Sequence, residues 1–444
     1  MYKTEEMEKL AEFISEHMSD ETSRLLLARG RWPDIDMDLA VNCIESRRKL
    51  KGKVQEWYDE PRLIFPARLS AEQCSSSATA SYKAALAGHI ARSSGSAIDD
   101  RAWRIADLTG GLGVDSWYFS KRADKVFYNE MQTALCEAAR HNFKILGADN
   151  ISVSNHMVDA EESSPSALLE SFRPDIIYLD PARRSESGRK VFLIEECSPD
   201  VLTLKDDLFA TARHLLIKLS PMADITMVCR RLGPTCREVH VVAYGGECKE
   251  LLIWMDREWN DGYSVTAAEL QSDYPASEPY TLSFNPLQEQ ETQPQISVPS
   301  EGMFLFEPGK ALMKAGAFNI IGKTLGLGKL GRSTHYYIHS SEEKLKELMG
   351  FGKSYRILRC TPLDKRNMKE AGKDFPKADV TARNIPMDTQ TLRKKTGVTS
   401  GDDTHIFGLR SDLSGNLLLC TKRVFEKDLE AYGNKDEASG KFSL

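Results

Sequence analysis

Apolar residues recur every three or four positions along the first seventy residues, and beyond residue 102 they gather into short runs instead. Met7, Leu10, Ala11, Ile14 and Met18 share one helix face, and Asp36 to Trp57 repeats the spacing through Leu39, Cys43, Ile44 and Leu50. The pattern predicts a small helical cap over residues 1–72. Ser70-x-x-Gln73 has the spacing of a capping box and predicts a helix through SSSATASYKAALAGHIA, broken at Ser93-Ser94-Gly95. From Ala102 the runs RIADL, KVFYNE, ISVSN, DIIYLD and HLLIKLS alternate with helical stretches, which predicts an α/β domain over residues 73–257 with a mostly parallel sheet. EVHVVAY and ELLIWMD are separated by only Gly245-Gly246-Glu247-Cys248-Lys249. That is too short for a parallel crossover and predicts a terminal antiparallel hairpin. Residues 258–300 hold five prolines amid Ser, Gln, Glu and Thr and read as a linker or extension, leaving 301–444 as a separate α+β domain.

Composition narrows the classes. The 444 residues are 41% hydrophobic and 28% charged, and no apolar run approaches the roughly 18–20 residues of a membrane span. The start, MYKTEEMEKLAEF, is acidic and amphipathic and lacks the pattern of a secretory signal. Nine scattered cysteines with no Cys-x-x-Cys pair suit reduced thiols, so a cytoplasmic protein without a membrane partner or a structural metal is expected. The net charge of −6 means that any polyanion must be met by a local patch. Residues 351–400 supply one, with twelve Lys/Arg against five acids.

Candidate chemistry begins at IADLTGGLGVDS. Asp107 ends the first strand, and Gly110, Gly111 and Gly113 fill the turn before a helix, letting the backbone approach a ligand. Gly111 is expected to have no room for a side chain. Glu130 closes the second strand, where a carboxylate can accept both ribose hydroxyls, and Asp159 follows the third, placed to accept from an adenine amino group. A nicotinamide-binding fold would want Gly-x-Gly-x-x-Gly in that first turn. The string occurs only at Gly326-x-Gly328-x-x-Gly331, without a strand-turn-helix context, and reads there as a loop.

Asp107-x-x-Gly110-Gly111-x-Gly113, Glu130, Asp159 and Asp180-Pro181 stand in the order of the class I S-adenosylmethionine-dependent methyltransferase motifs, and the resemblance covers roughly residues 73–256. It implies a Rossmann-like sheet and S-adenosyl-L-methionine as cofactor. Asp107, Thr109 and the glycine turn would hold its methionine part, Glu130 the ribose, and Asp159 with Ala160 the adenine. Thr109 departs from the commonest pattern, which has a glycine there. VTARNIPMDTQTLRKKTGVTSGDDTHIFGL (380–409) resembles the end of the THUMP-like domain that accompanies such domains in a bacterial family, and EPGKALMKAGAFN and LSAEQCSSSATASYKA resemble its other recurrent segments. This implies an RNA partner, tRNA or rRNA, with Arg383, Arg393, Lys394 and Lys395 as substrate-binding residues.

The stretch IIYLDPARR ends a buried run at Asp180-Pro181. In related enzymes that methylate base nitrogens the loop is Asp/Asn-Pro-Pro-aromatic, whose acceptors localise the amine's lone pair toward the methyl group. Here Ala182 and Arg183 replace the second proline and the aromatic ring, and a guanidinium can also stack on a base. Asp180, Pro181 and Arg183 are therefore the catalytic candidates, with Arg184 on the substrate side. Asp-Pro-Ala-Arg is also similar to RNA methyltransferases acting on carbon 5 of uracil, which need a cysteine after the fifth strand. KLSPMAD has none, and Cys197 is the nearby substitute. A base nitrogen of RNA is the favoured target. Carbon 5 of a pyrimidine, or a cofactor- and RNA-binding module without turnover, are the alternatives. Lys83 is expected either near the cofactor carboxylate or in solvent, and His335 and His339 on one strand face lack the acids or cysteines of a metal site.

Overall fold

The computed structural model describes residues 4–93, 102–159, 163–183, 194–401 and 403–428. The chain divides into two compact units: Met1–His240 with Lys249–Tyr263 and Asp273–Ser277, and Val241–Cys248 with Ser264–Ser272 and Glu278–Leu444.

The first unit opens with helices α1 (Thr4–Glu16), α2 (Thr22–Leu27), α3 (Met37–Leu50), α4 (Gln55–Asp59) and α5 (Arg68–Gln73), followed by the long α6 (Ser77–Arg92). The stretch expected as one helix from Asp36 to Trp57 is thus two, divided where Gly52 takes φ +70. The capping box also falls elsewhere. Ser70 lies inside α5, whereas Ser76 caps α6, accepting from the Thr79 N–H while the Thr79 hydroxyl accepts from the Ser76 N–H. These helices are anchored on the sheet domain: the Asn142 side chain exchanges two 2.8 Å hydrogen bonds with the backbone of Ile64, and Trp57 packs edge-on against Trp117. Buried Arg47 stitches the cap internally by donating to the carbonyls of Tyr58, Glu60 and Leu63.

Next come β1 (Arg104–Asp107), α7 (Val114–Ser120), β2 (Lys125–Asn129), α8 (Thr133–Ile145), β3 (Ile151–Ser154), α9 (Pro165–Leu169) and β4 (Ile176–Leu179). They are followed by the two-residue strands β5 (Ala182–Arg183) and β6 (Cys197–Ser198), then α10 (Val201–Thr211), β7 (His214–Leu219), α11 (Ile225–Leu232), β8 (Cys236–Tyr244) and β9 (Glu247–Asp256). The first unit's strands follow the order β8-β9-β7-β4-β1-β2-β3 within a nine-stranded sheet. β7, β4, β1, β2 and β3 are mutually parallel, as expected, and β9 is antiparallel to β7, with β8 its neighbour on the other side. Connections leave β1 in one direction and reach β4 in the other, so the switch point lies between β1 and β4. Ligands bind at such points in open α/β sheets.

The second unit holds β10 (Ser264–Leu270), β11 (Tyr280–Phe284), α12 (Pro286–Glu291), β12 (Phe304–Pro308), α13 (Lys310–Ala315), α14 (Ile320–Leu325), β13 (Gly328–Lys329), β14 (Tyr337–His339) and α15 (Glu343–Leu348). It continues with β15 (Gly352–Pro362), α16 (Lys365–Asp374), β16 (Asp379–Arg383), α17 (Thr389–Thr396), β17 (Thr404–Ser411) and β18 (Gly415–Arg423). A seven-stranded sheet runs β13-β14-β12-β15-β18-β17-β16, with only β16 and β17 parallel among its strand pairs. α16 and α17 cover one face, packing Met368, Ala371 and Leu392 against Leu418 of β18. The stretch expected as a linker is structured: β10 and β11 form an antiparallel hairpin. Glu269 accepts from the Ala311 N–H at 2.7 Å, and Glu289 accepts from the N–H groups of Asn319 and Ile320. Its Pro and Ser content marks turns between short strands, not an unpacked chain.

Candidate active site

At the carboxyl ends of β1, β2 and β4 lies a cavity of about 830 Å³, within the range of small-molecule sites. The turn after β1 forms its floor. A Cβ on Gly110 would fall inside the Tyr128 ring, and one on Gly113, at φ +94, would come 2.8 Å from Phe143. Gly111 differs from expectation: a Cβ there meets nothing nearer than 3.9 Å, so its constraint is the backbone angle of φ +53. Both of its backbone groups are held, the N–H by Glu130 at 2.9 Å and the carbonyl by the Tyr128 hydroxyl at 2.6 Å. The second Glu130 oxygen accepts from the Gln132 N–H at 2.8 Å. Two fixed N–H donors orient this buried carboxylate and leave lone pairs for further donors.

Asp107 is fully buried. One oxygen accepts from the Ser116 hydroxyl at 2.6 Å and the other from the Thr109 N–H at 3.1 Å, stapling the turn to α7. Burial, with repulsion from Asp115 and Asp180, pushes its pKa from 3.8 up to about 7 despite those bonds. The folded protein therefore keeps a proton that the unfolded chain loses near pH 4. Asp107's contribution to stability is complete below that pH and is lost as pH rises through about 7. Between pH 4.5 and 7.5 the wild type should lose stability by on the order of a few kcal/mol more than Asp107→Asn. Urea unfolding at several pH values checks this, and parallel profiles for the two proteins would refute it.

Thr109, the departure from the commonest pattern, has a definite task. Its hydroxyl oxygen accepts from the Asp180 N–H at 2.6 Å, tying the glycine turn to the loop after β4. Asp180 lines the cavity and is ion-paired with Lys218 from the end of β7. Burial would lower the Lys218 pKa, but Asp180, Glu250 and Asp115 together raise it well above its ordinary value. Lys83 occupies neither expected place. It is fully buried, donating to both Glu250 oxygens at 2.8 and 2.9 Å and to the Ser75 hydroxyl at 2.9 Å, with Asp115 at 3.3 Å. Asp115 in turn accepts from Ser75 and from the Tyr178 hydroxyl.

Asp107, Thr109, Gly110, Gly111, Gly113, Glu130 and Asp180 therefore meet in one cavity. Others stand apart. Asp159 accepts from the Ser163 N–H at 3.3 Å, and the cavity wall on that loop is His156, Met157 and Val158 instead. Pro181 is buried. The backbone of Arg183 pairs with Cys197 in the β5–β6 ribbon, which brings Ser198 and Pro199 to the wall. The Arg183 side chain, Ala160 and Arg184 lie outside the described residues. Arg383 ends β16, and Arg393, Lys394 and Lys395 form the last turn of α17 in the second unit. The sequence reading missed Lys218, Asp115, Ser75 and Cys74. A lysine within the apolar run HLLIKLS was the one visible signal.

Cys197 is buried, and the thiol on the cavity wall is that of Cys74, which burial pushes up to about 11. Among the described residues no three metal-ligating side chains gather, and no helix is long and apolar enough to cross a membrane. His335 and His339 stack on Phe318 and Phe304, and burial lowers both to about 4.

The strand order, the glycine turn beneath the cavity and the strand-end carboxylates are those of a class I methyltransferase fold. The chain is similar over 96% of its length to the whole of a presumed methyltransferase from Porphyromonas gingivalis W83, at 28% identity and a TM-score of 0.80. Residues 304–345 match a ferredoxin-like domain and residues 352–423 a THUMP domain-like family. An S-adenosylmethionine-dependent methyltransferase from Aquifex aeolicus is 15% identical, with 34% of this chain and 81% of that one covered, at a TM-score of 0.25. An rRNA methylase from Streptococcus thermophilus is 10% identical, with 39% and 94% covered, at a TM-score of 0.28. No curated protein matches the sequence. The cavity suits S-adenosylmethionine: a buried, oriented carboxylate with lone pairs to spare can accept from vicinal hydroxyls, and Gly111, with open space where a Cβ would stand, leaves the turn's backbone open to a ligand.

Proposed function

We propose that this chain transfers a methyl group from S-adenosylmethionine to a base nitrogen of RNA, tRNA or rRNA. The reading rests above all on Asp180. This proton acceptor ends a buried strand at the switch point and shares a cavity with Glu130 and the glycine turn. In this reading the cofactor supplies an electrophilic methyl group. Glu130 receives the ribose hydroxyls, Asp107 and Thr109 hold the turn under the methionine part, and the adenine side falls to the wall of His156, Met157 and Val158. Asp180 accepts the N–H of the target nitrogen while Pro181 sets the loop's path, and Arg183 and Arg184 are assigned to the RNA by the sequence alone. The test is mass spectrometry of total-RNA nucleosides from cells with and without the gene. A modified nucleoside missing from the deletion supports the reading, and identical profiles oppose it. In calorimetry, Glu130→Ala should abolish S-adenosylmethionine binding. Retention of wild-type affinity would remove Glu130 from the site.

Carbon-5 methylation is the second reading, favoured by the Cys74 thiol on the cavity wall. Its raised pKa keeps the thiol protonated, which opposes a covalent route. Cys74→Ala and Cys197→Ala should both leave transfer largely intact.

RNA capture falls to the second unit in this proposal. Lys394 and Lys395 are exposed at the end of α17, and the adjoining α16 carries Lys365, Arg366, Lys369 and Lys373. Basic residues at helix ends also complement the helix dipole, so charge reversal has to separate the two roles. Binding of a single-stranded RNA that neutralises about four phosphates should show a log-log salt slope near −3. Arg393→Glu with Lys394→Glu in the full chain should flatten it, and an unchanged slope would move RNA capture elsewhere.

A further inference from the structure

Asp180 and Lys218 stand together at the ends of neighbouring parallel strands, β4 and β7, and both line the cavity. The Asp180 backbone is pinned by Thr109, and the Asp180 carboxylate is paired with the Lys218 ammonium. A fixed acceptor beside a fixed cationic donor is complementary to an adjacent N–H and C=O. Resting on the reading above, we infer that the target base is a lactam, guanine methylated at N1 or uracil methylated at N3, with Lys218 donating to the neighbouring carbonyl oxygen.

The chemistry of the two kinds of base separates them. A lactam nitrogen carries a proton and shares its electron pair with the carbonyl, so it becomes nucleophilic only as the proton leaves, and negative charge then gathers on oxygen. Asp180 takes that proton and Lys218 meets the charge where it develops. The N–H bond breaks with its proton passing to the carboxylate, and the pair left on nitrogen forms the new N–C bond. The S–CH3 bond breaks with its pair staying on sulfur. The sulfonium's positive charge is cancelled by the negative charge the carboxylate gives up. On adenine or cytosine the same ammonium would donate to a ring nitrogen, drawing electron density from the exocyclic amine and opposing its attack.

The groups around Lys218 keep it charged for this task. Asp180 comes from β4, Glu250 from β9 and Asp115 from α7, while Lys83 on α6 neutralises part of the last two and the Cys74 thiol stays protonated. Lys218 therefore acts as a permanent cation and not as a base.

The test uses the full-length protein, methyl-labelled S-adenosylmethionine and total RNA from cells lacking the gene, digested to nucleosides after reaction. Label should appear in 1-methylguanosine or 3-methyluridine. Lys218→Met should lower transfer by about a hundredfold or more with cofactor affinity little changed, the size expected for losing a donor at a developing oxyanion. Lys218→Arg should retain more activity than Lys218→Met. Raising the pH should restore Lys218→Met proportionally more than wild type, because the lactam then ionises unaided, and a merely structural lysine would give no such recovery. Label in any methylated adenosine or cytidine, or in N2-methylguanosine, overturns the lactam inference and leaves base-nitrogen methylation standing. Label in 5-methyluridine, or none in RNA, overturns both. Wild-type rates in Lys218→Met would remove Lys218 from the reaction whatever the base.

Discussion

Lys83→Met should cost about 3–5 kcal/mol of stability, the range for removing one partner of a buried ion pair. Glu250 is fully buried with two hydrogen bonds from this one ammonium, and Asp115 has an oxygen with no hydrogen-bond partner beyond the Lys83 charge at 3.3 Å. Methionine replaces the four-atom stem and lacks only the terminal ammonium, so the loss is mainly electrostatic: two carboxylates remain in a site where burial already raises the Glu250 pKa against the pull of Lys83 and Lys218. The double variant Lys83→Met with Glu250→Leu should recover a large part of the loss, because removing both charges removes the desolvation penalty as well. Urea unfolding reads both numbers. A single variant within about 1 kcal/mol of wild type, the level of an exposed pair, would mean that water reaches this network.

Asp180→Asn should lower methyl transfer at least about a hundredfold while leaving S-adenosylmethionine affinity near wild type. The amide keeps the shape and can still accept a hydrogen bond, but it cannot take up the proton that a target nitrogen must shed. The Glu130 side of the cavity is independent of this change, since Glu130 and Gly111 bind each other and not Asp180. Thr109 holds the loop through the Asp180 backbone N–H, which the substitution preserves. Transfer to total RNA from a deletion strain and calorimetry with the cofactor form the paired measurement. Activity above a tenth of wild type, or a parallel collapse of cofactor affinity, would move the proton acceptor to another residue.

The features legible in the sequence were those written in local pattern. The alternation of RIADL, KVFYNE, ISVSN and DIIYLD with helical stretches carried the parallel sheet, and the short spacing after EVHVVAY carried the hairpin. The glycine turn and the strand-end Asp107, Glu130 and Asp180 followed because strand ends can be read from a run of apolar residues. What escaped was built by distance in the chain. Lys83 and Glu250 are 167 positions apart, and nothing near either residue announces the other. Lys218 was hidden because a long aliphatic side chain sits easily within an apolar strand, and only the carboxylates of other elements make it part of a site. The cap of α6 was misplaced because Ser70 and Gln73 had suitable spacing and lay close to the true box at Ser76 and Thr79. Residues 258–300 misled through composition. SVTAAEL and YTLSF are good strands, but the prolines and serines between them outweigh them in any count.

The interleaving of the two units constrains how this protein can be taken apart. The second unit draws Val241–Cys248 and Ser264–Ser272 from within stretches that otherwise belong to the first. A chain ending near residue 300 would keep β10, β11 and α12 while discarding α13 and Asn319, their hydrogen-bonding partners, so it yields a broken second unit and not a clean first one. Recombination at a single junction is likewise excluded as a route by which the second unit could be exchanged between proteins. The unit travels only if three separate segments travel together, so the two halves are expected to be inherited as one cassette.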